Sequence, residues 1–386
     1  MGYSEKWEVL GLIDGGGQGK VYRVIPKSMS HQLDMSIIHA IKVIADPKAD
    51  DTTKHHEYRE FKKGIIDLLD RENPVHHKAL KVIHKPEDSR DAELAEVRLR
   101  REIKAMADIT HPSLLKIVDY DLESKWFVSE YFPRGTISKC RNIFAGNFEK
   151  ALKAFRPLVE GVAKLHENKI VHRDIKPENV FLDSKDNLIL GDFGLVFFID
   201  DEEPRISKTL ENVGSRDWMP TWAQGVRIED IKPTFDVFSL GKLLWTLISG
   251  QPKLLLWYFD KSQNNVENLY PEGSFIKLAN PLFRKCIVED EHNCLSDASE
   301  LLKEVDKVLS VIENHADLID LNVKRKCKVC GIGNYELRVN ENIADVHNFG
   351  FSAVGNRKWR IFTCSYCGNV QLFSYEGQAP QAWQSK

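Results

Sequence analysis

No stretch of this chain approaches the roughly 20 consecutive apolar residues that a helix needs to cross a bilayer. The opening MGYSEKWEVL lacks the basic and apolar regions of a signal peptide, so the cytoplasm is the expected address. Charge of one sign is equally scarce. Lys and Arg number 54 and Asp and Glu 57, a balance of -3 that gives no global reason to expect nucleic acid or an acidic membrane as partner. Cysteine is sparse, at seven in 386 residues, but four of the seven form two Cys-x-x-Cys pairs near the C-terminus. In a reducing compartment that arrangement reads as metal ligation rather than disulfides, with Cys140, Cys286 and Cys294 left as buried free thiols. What is present is 42% hydrophobic and 29% charged, enough for one large core and a further small domain.

The first conspicuous feature is IDGGGQGKVYRV, residues 13–24, with four glycines in five positions. Alternating apolar residues flank it on both sides, and SIIHAIKVI, residues 36–44, continues the β-rich pattern. The order is therefore strand, glycine loop, strand. A Walker loop would run into a helix and carry Gly-Lys-Ser/Thr, and this one does neither. Glycines let backbone N–H groups approach phosphate because no Cβ intervenes. Alone, the stretch is equally compatible with a plain hairpin turn.

Later segments change that balance. HAIKVI places Lys42 on an expected third strand, and RLRREIKAMADI, residues 98–109, has helical spacing with Glu102 able to turn inward. VHRDIKPENVFL and LGDFGL then supply Asp174, Asn179 and Asp192, three oxygen-bearing side chains of the kind that hard cations such as Mg²⁺ select.

In identity, order and spacing this set resembles the eukaryotic-like Ser/Thr protein kinases over roughly residues 5–310. The resemblance implies an α+β, bilobal kinase fold, with a β-rich N-lobe and a helical C-lobe. It implies ATP under Gly16 and Gly19, with adenine between Val21, Ala40 and Phe181 and against backbone groups of Glu130 and Phe132. Lys42, oriented by Glu102, would hold the α and β phosphates, while Asp192 and Asn179 would bind Mg²⁺ or Mn²⁺. Asp174 would take or orient the proton of the attacking hydroxyl on a protein substrate, with Lys176 close to the γ-phosphate. Ser129 would be the gatekeeper, Met106, Ile117, His172 and Phe193 a hydrophobic spine, and Asp236 the anchor of the catalytic loop. Arg173 would receive a phosphate on Ser207 or Thr209, unless the acidic run Asp200 to Glu203 fills that role, and Ser215 would lie close to Asp174 and Lys176.

Departures from the family pattern carry their own expectations. Asp14 stands where the first loop glycine is usual and should point to ribose or solvent, away from phosphate. The family's Ala-Pro-Glu reads Pro220-Thr221-Trp222, and Cys294 aligns with the arginine that normally pairs with that glutamate, so Trp222 is expected near Cys294. Pro157, inside an otherwise helical segment at 151–166, predicts a kink or a late helix start. Lys42 and Glu102 stand 60 positions apart, which implies an insertion at about 46–93 between the third strand and the following helix. In it, Phe61, Ile65, Leu68 and Leu69 suggest an amphipathic helix, either a decoration or a docking surface for a protein partner. The histidine pairs 55/56 and 76/77 lack ordered ligand spacing.

Beyond residue 310 the composition shifts. Cys327, Cys330, Cys364 and Cys367, separated by β-rich sequence, look like a zinc ribbon at 322–375 holding a structural Zn²⁺. Eight Lys/Arg against three Asp/Glu over 322–372 suggest nucleic acid, but a thiolate cluster also needs nearby cations, and a recruiting role toward protein is the leading expectation. The active kinase is weighed against a pseudokinase-like scaffold or a nucleic-acid-associated regulator working through the ribbon. The complete polar set favours catalysis.

Overall fold

The computed structural model describes residues 2–16, 19–29, 73–83, 89–199, 217–223, 231–319, 325–327, 329–330, 332–337 and 358–375, with scattered positions between 42 and 62. It divides into two compact units, Met1–Val308 and Leu309–Lys386.

The first unit opens with a five-stranded antiparallel sheet in the order β1-β2-β3-β5-β4. Its strands are β1 (Trp7–Gly16), β2 (Gly19–Pro26), β3 (Lys78–Val82), β4 (Ile117–Asp121) and β5 (Trp126–Glu130). One face of the sheet closes over Trp7, Val24, Leu80, Trp126 and Val128. Full burial of such side chains is worth about 1.5–3 kcal/mol each, which is what holds a sheet with so long an excursion between β2 and β3. Gly19 sets the β1–β2 turn. Its φ is +154°, and a Cβ there would come within 2.4 Å of the Val82 carbonyl oxygen.

The third strand differs from expectation. It is Lys78–Val82, paired on one side with β2 and on the other with β5. Lys42 and Val43 are helical and Lys42 is exposed, so HAIKVI does not supply the third strand. The long extra segment accordingly precedes β3 instead of following it. Within it Phe61 and Lys62 are helical, whereas Ile65, Leu68 and Leu69 lie outside the described residues.

Helix α1 (Ser89–Asp108) follows, then β4 and β5, and after them the chain becomes mainly helical. Helix α2 (Phe148–Glu167) is capped by Asn147, whose side chain accepts from the Lys150 amide. It begins nine residues before Pro157 and runs through it without interruption, so the helix does not start late. The residue whose carbonyl loses its partner is Lys153, which is exposed, so water can replace the missing N–H. Two short antiparallel pairs, β6 (Ile170–Val171) with β9 (Phe197–Phe198) and β7 (Val180–Leu182) with β8 (Leu188–Leu190), frame the loops between them. Helix α3 (Thr234–Ser249) is buried along its whole length, and at Gly241 an added Cβ would stand 2.7 Å from that of Cys286. Helix α4 (Ala298–Ile319) comes last, crossing the boundary between the two units.

Trp222 packs edge-on against Phe235 and Phe238 of α3, at centroid distances of 5.4 and 6.3 Å. Cys294 directs its sulfur at the carbonyl oxygens of Thr234, the neighbour of Phe235, and of Cys286. The two positions thus find separate partners around the start of α3.

The second unit contains a four-stranded antiparallel sheet, β10 (Arg325–Lys326), β11 (Asn334–Leu337), β12 (Lys358–Cys364) and β13 (Val370–Tyr375), in sequence order. Cys327, Cys364 and Tyr335 form its small buried centre, with Cys330 packed against it.

Candidate active site

Strand periodicity places Ala79 and Lys81 on one face of β3 and Leu80 on the other, in the core. Ala79 is in register with Ser129 on β5, and Lys81 with Val21 on β2, beside the glycine turn. From there the Lys81 ammonium reaches Glu102 on α1, at 2.7 Å from Oε1 and 3.0 Å from Oε2, and Asp192 Oδ1 at 3.5 Å. Burial works against the charge on Lys81, but the Glu102 and Asp192 carboxylates outweigh it and hold its pKa above the ordinary value. Glu102 therefore pairs with Lys81, which corrects the expectation for Lys42. Ala40 lies outside the described residues, and the residue two before the paired lysine is Ala79.

The duplication of sequence explains the miss. Residues 40–44 read AIKVI and residues 79–83 read ALKVI. The distinguishing signal was distance along the chain: Lys81 precedes Glu102 by 21 positions, compared with 60 for Lys42.

Below the sheet, Asp174, Lys176 and Asn179 come together on the loop between β6 and β7. Lys176 Nζ donates to both Asp174 oxygens, at 2.9 and 2.7 Å. Asn179 Nδ2 donates to the Asp174 carbonyl and to Asp174 Oδ2, both at 2.8 Å. Asp174 and Asn179 are each buried. The loop is held from α3 by Asp236, whose carboxylate accepts the His172 and Arg173 amides at 2.7 Å and lies 3.0 Å from His166 Nε2. Burial opposes ionisation of Asp236, but the hydrogen bond from His166 and the nearby His172 keep its carboxyl below the ordinary value.

Asp192 has a left-handed backbone, with φ of 56°, an uncommon state for a residue other than glycine. It is the turn that delivers its carboxylate to Lys81. Burial again opposes ionisation, yet Lys81, His172 and Lys176 keep Asp192 below its usual value. Next to it Phe193 packs edge-on against His172 with centroids 5.0 Å apart, and His172 Nε2 lies 3.2 Å from the Gly191 carbonyl. His172 Nδ1 faces the Asp174 amide, which leaves Nε2–H to donate to the Gly191 carbonyl, and burial lowers the ring's pKa.

At the sheet edge of the cleft Ser129 is buried on β5 and Glu130 ends that strand. Phe132 and Phe181 stack with centroids 5.4 Å apart and planes at 24°. Asp14 is exposed, and its Oδ1 accepts from the Gly15 amide at 2.8 Å, which folds the carboxylate onto its own turn.

Arg173 is strained and poorly paired. Its φ is +72°, and its Nε and Nη2 are buried with no hydrogen-bond partner among the described residues. Burial pushes its pKa down to about 10, and Arg101 and Arg98 on α1 add like charge. Ser207, Thr209, Ser215 and the acidic run at 200–203 lie outside the described residues.

In the second unit the four Cys-x-x-Cys sulfurs lie within 4.8 Å of one another. Cys327 to Cys367 and Cys330 to Cys364 are each 3.7 Å. A tetrahedron with metal–sulfur bonds of about 2.3 Å has an edge near 3.8 Å, so the donor set fits one zinc-sized ion. Backbone N–H groups of Gly333, Tyr366 and Cys367 point at the sulfurs of Cys330 and Cys364 from 3.4 to 3.5 Å, as thiolate ligands require. Among the described residues no histidine belongs to such a cluster.

The chain is 27% identical over 218 residues to a probable Ser/Thr protein kinase, samkA, of Dictyostelium discoideum, covering 54% of this chain and 32% of that protein. It is 30% identical over 243 residues to a carbon catabolite-derepressing protein kinase of Secale cereale, covering 60% and 44%. Against Aurora kinase A-A of Xenopus laevis it is 29% identical over 180 residues, covering 45% and 41%. The alignments thus span between about a third and under half of the relatives' own length. The family profile described as a protein kinase domain matches residues 62–308, well over half of the chain, and on that match the chain belongs to the protein kinase domain family.

Proposed function

We propose that this chain is an ATP-dependent Ser/Thr protein kinase that transfers the γ-phosphoryl group to hydroxyls of protein substrates. The observation that carries the reading is a single polar assembly. Lys81 bridges Glu102 and Asp192, while Asp174 is held by Lys176 and Asn179 on a loop clamped to α3. Gly16 and Gly19 keep the β1–β2 turn open to phosphate, and Val21, Ala79 and Phe181 offer apolar surface to adenine, with backbone groups of Glu130 and Phe132 at its edge. Lys81, fixed by Glu102, neutralises phosphate charge. Asp192 and Asn179 provide oxygen donors for Mg²⁺ or Mn²⁺, which supplies charge stabilisation to the transferring group. Asp174 Oδ accepts the hydroxyl proton, and Lys176 balances the charge on Asp174 until it does. The Asp174→Asn variant should lower phosphotransfer from ATP to protein at least about 10²-fold without loss of fold. Equal rates for the variant and the wild type would reject the reading.

The unpaired donors of Arg173, with Arg98 and Arg101 nearby, support a binding place for a phosphate added to Ser207 or Thr209. Mass spectrometry of the active enzyme tests this, and absence of phosphate at both positions counts against it.

For the second unit we propose a structural Zn²⁺ held by Cys327, Cys330, Cys364 and Cys367 in a zinc ribbon. Val329, Ile332 and Tyr366 are exposed beside these cysteines, which favours a protein-recruiting role over nucleic acid. Replacement of Cys364 by Ser should remove one equivalent of bound zinc and unfold β10–β13, leaving the phosphotransfer site intact. Unchanged zinc content by atomic absorption would contradict the assignment. Among the described residues no helix is long and apolar enough to cross a membrane, and the unpaired thiols of Cys140, Cys286 and Cys294 suit a reducing cytoplasm.

A further inference from the structure

Helix α3 carries three polar side chains at three-residue intervals, Asp236, Ser239 and Lys242, and each grips the main chain of a segment outside the helix. Asp236 holds the catalytic loop through the amides of His172 and Arg173. The Ser239 hydroxyl donates to the Trp218 carbonyl at 2.9 Å. Lys242 Nζ donates to the Asp217 carbonyl. With a rise of 1.5 Å per residue, Ser239 and Lys242 stand about 4.5 and 9 Å along the axis from Asp236, within roughly a third of the circumference.

Lys242 is the costly member of this row. It is only 1% exposed, and its ammonium lies over the Phe238 and Trp218 rings, 5.3 and 6.0 Å from their centroids. The carboxylate that favours its charge, on Asp217, is itself paired with Lys253 at 2.8 Å. A leucine or methionine would fill the same volume without desolvating a charge, so packing alone does not account for a lysine here. What the lysine adds is a long-reach donor to a main-chain carbonyl and a cation against two rings.

The segment it grips is the one that departs from the family pattern. Trp222 replaces the usual glutamate and Cys294 its usual arginine partner, so that ion pair is missing. Residues 217–223 are attached to α3 by Lys242, Ser239 and the packing of Trp222 and Ala223. We propose that Lys242 is the positioning residue that fixes residues 217–223, and through them the acceptor segment of a protein substrate, in register with the catalytic loop on the same helix. This rests on the kinase reading above, in which a protein hydroxyl is brought to Asp174 on the catalytic loop that Asp236 of the same helix holds.

The test compares full-length wild type, Lys242→Met, Lys242→Arg and Ser239→Ala in three assays: amide hydrogen exchange, ATP hydrolysis without acceptor, and transfer to a degenerate Ser/Thr peptide library. In Lys242→Met, exchange of the amides of residues 218–223 should accelerate about tenfold or more, while residues 171–182 keep their protection. ATP hydrolysis and the KM for ATP should stay within about twofold, and kcat/KM for the peptides should fall about tenfold. Lys242→Arg should recover part of the loss, and Ser239→Ala should show a smaller loss of the same kind. Unchanged exchange at 218–223 in Lys242→Met, or equal acceleration across α3 and 171–182, overturns the proposal. Should Lys242→Met fail to fold, exchange in Lys242→Arg and Ser239→Ala decides by the same criterion. A wild type that neither hydrolyses ATP nor labels peptides defeats the kinase reading, and the exchange arm still judges the anchor separately.

Discussion

Two pentapeptides in this chain differ at a single position, AIKVI at 40–44 and ALKVI at 79–83, yet their lysines have opposite fates. Lys42 is exposed in a helical stretch, whereas Lys81 is drawn between two carboxylates under a sheet. Leu and Ile have the same hydrophobic weight, so the difference does not arise within the five residues. It arises from what each copy can pair with. The second copy has β2 and β5 on either side, an apolar cluster ready for Leu80, and Glu102 close enough along the chain for α1 to bring it round. A short motif identifies a catalytic lysine only when its surroundings supply strands and a carboxylate.

The comparison can be broken most forcefully by substitution of the two lysines separately. Lys81→Met should reduce phosphotransfer by about 10²–10³-fold, the usual loss when a preorganised charge donor is removed. A third lysine sharpens the contrast, because Lys242 is buried without a free carboxylate and its pKa is pushed down by burial to about 8 from 10.5, with Asp217 and Lys253 as its charged neighbours. Between about pH 8 and 10 the unfolded chain keeps a proton that the folded chain has released, so this group favours folding as pH rises and contributes least below pH 8. Relative to Lys242→Met, the wild type should therefore gain stability on the order of 3 kcal/mol across that window, read from denaturant unfolding at each pH. Next, Glu102→Gln removes the main feature that distinguishes the environment of Lys81 from that of Lys42, and should lower kcat/KM about tenfold by freeing the ammonium to wander. Smallest of all, Lys42→Met should leave the rate within about twofold, since its side chain is exposed.

Much of the fold and the site was legible because its residues sit in contiguous runs. Asp174, Lys176 and Asn179 occupy one loop, so their meeting at 2.7–2.9 Å needs only a local turn. Asp192 and Phe193 are likewise adjacent to the strand that positions them. Lys81 was masked by a near-copy of its motif earlier in the chain, and only its spacing of 21 residues from Glu102 set it apart, since its role depends on strand pairing across a long excursion. Pro157 did not delay the helix start, for another reason. A proline costs a helix its N–H and crowds the preceding turn, but the fully buried apolar face of α2, including Leu152, Phe155, Val159 and Val162, outweighs that local loss. For Trp222, the sequence identified the missing ion pair but not its replacement. The aromatic contacts and the grip of Lys242 depend on tertiary neighbours far apart in the chain.

The most direct measurement is covalent mapping of the nucleotide-binding lysine. Full-length protein would be incubated with an adenosine analogue carrying a sulfonyl fluoride in place of the phosphates, with and without excess MgATP, and digested for mass spectrometry. The account predicts an adduct on Lys81 that ATP suppresses and no ATP-sensitive adduct on Lys42. An ATP-protected adduct on Lys42, with Lys81 unmodified, would contradict it.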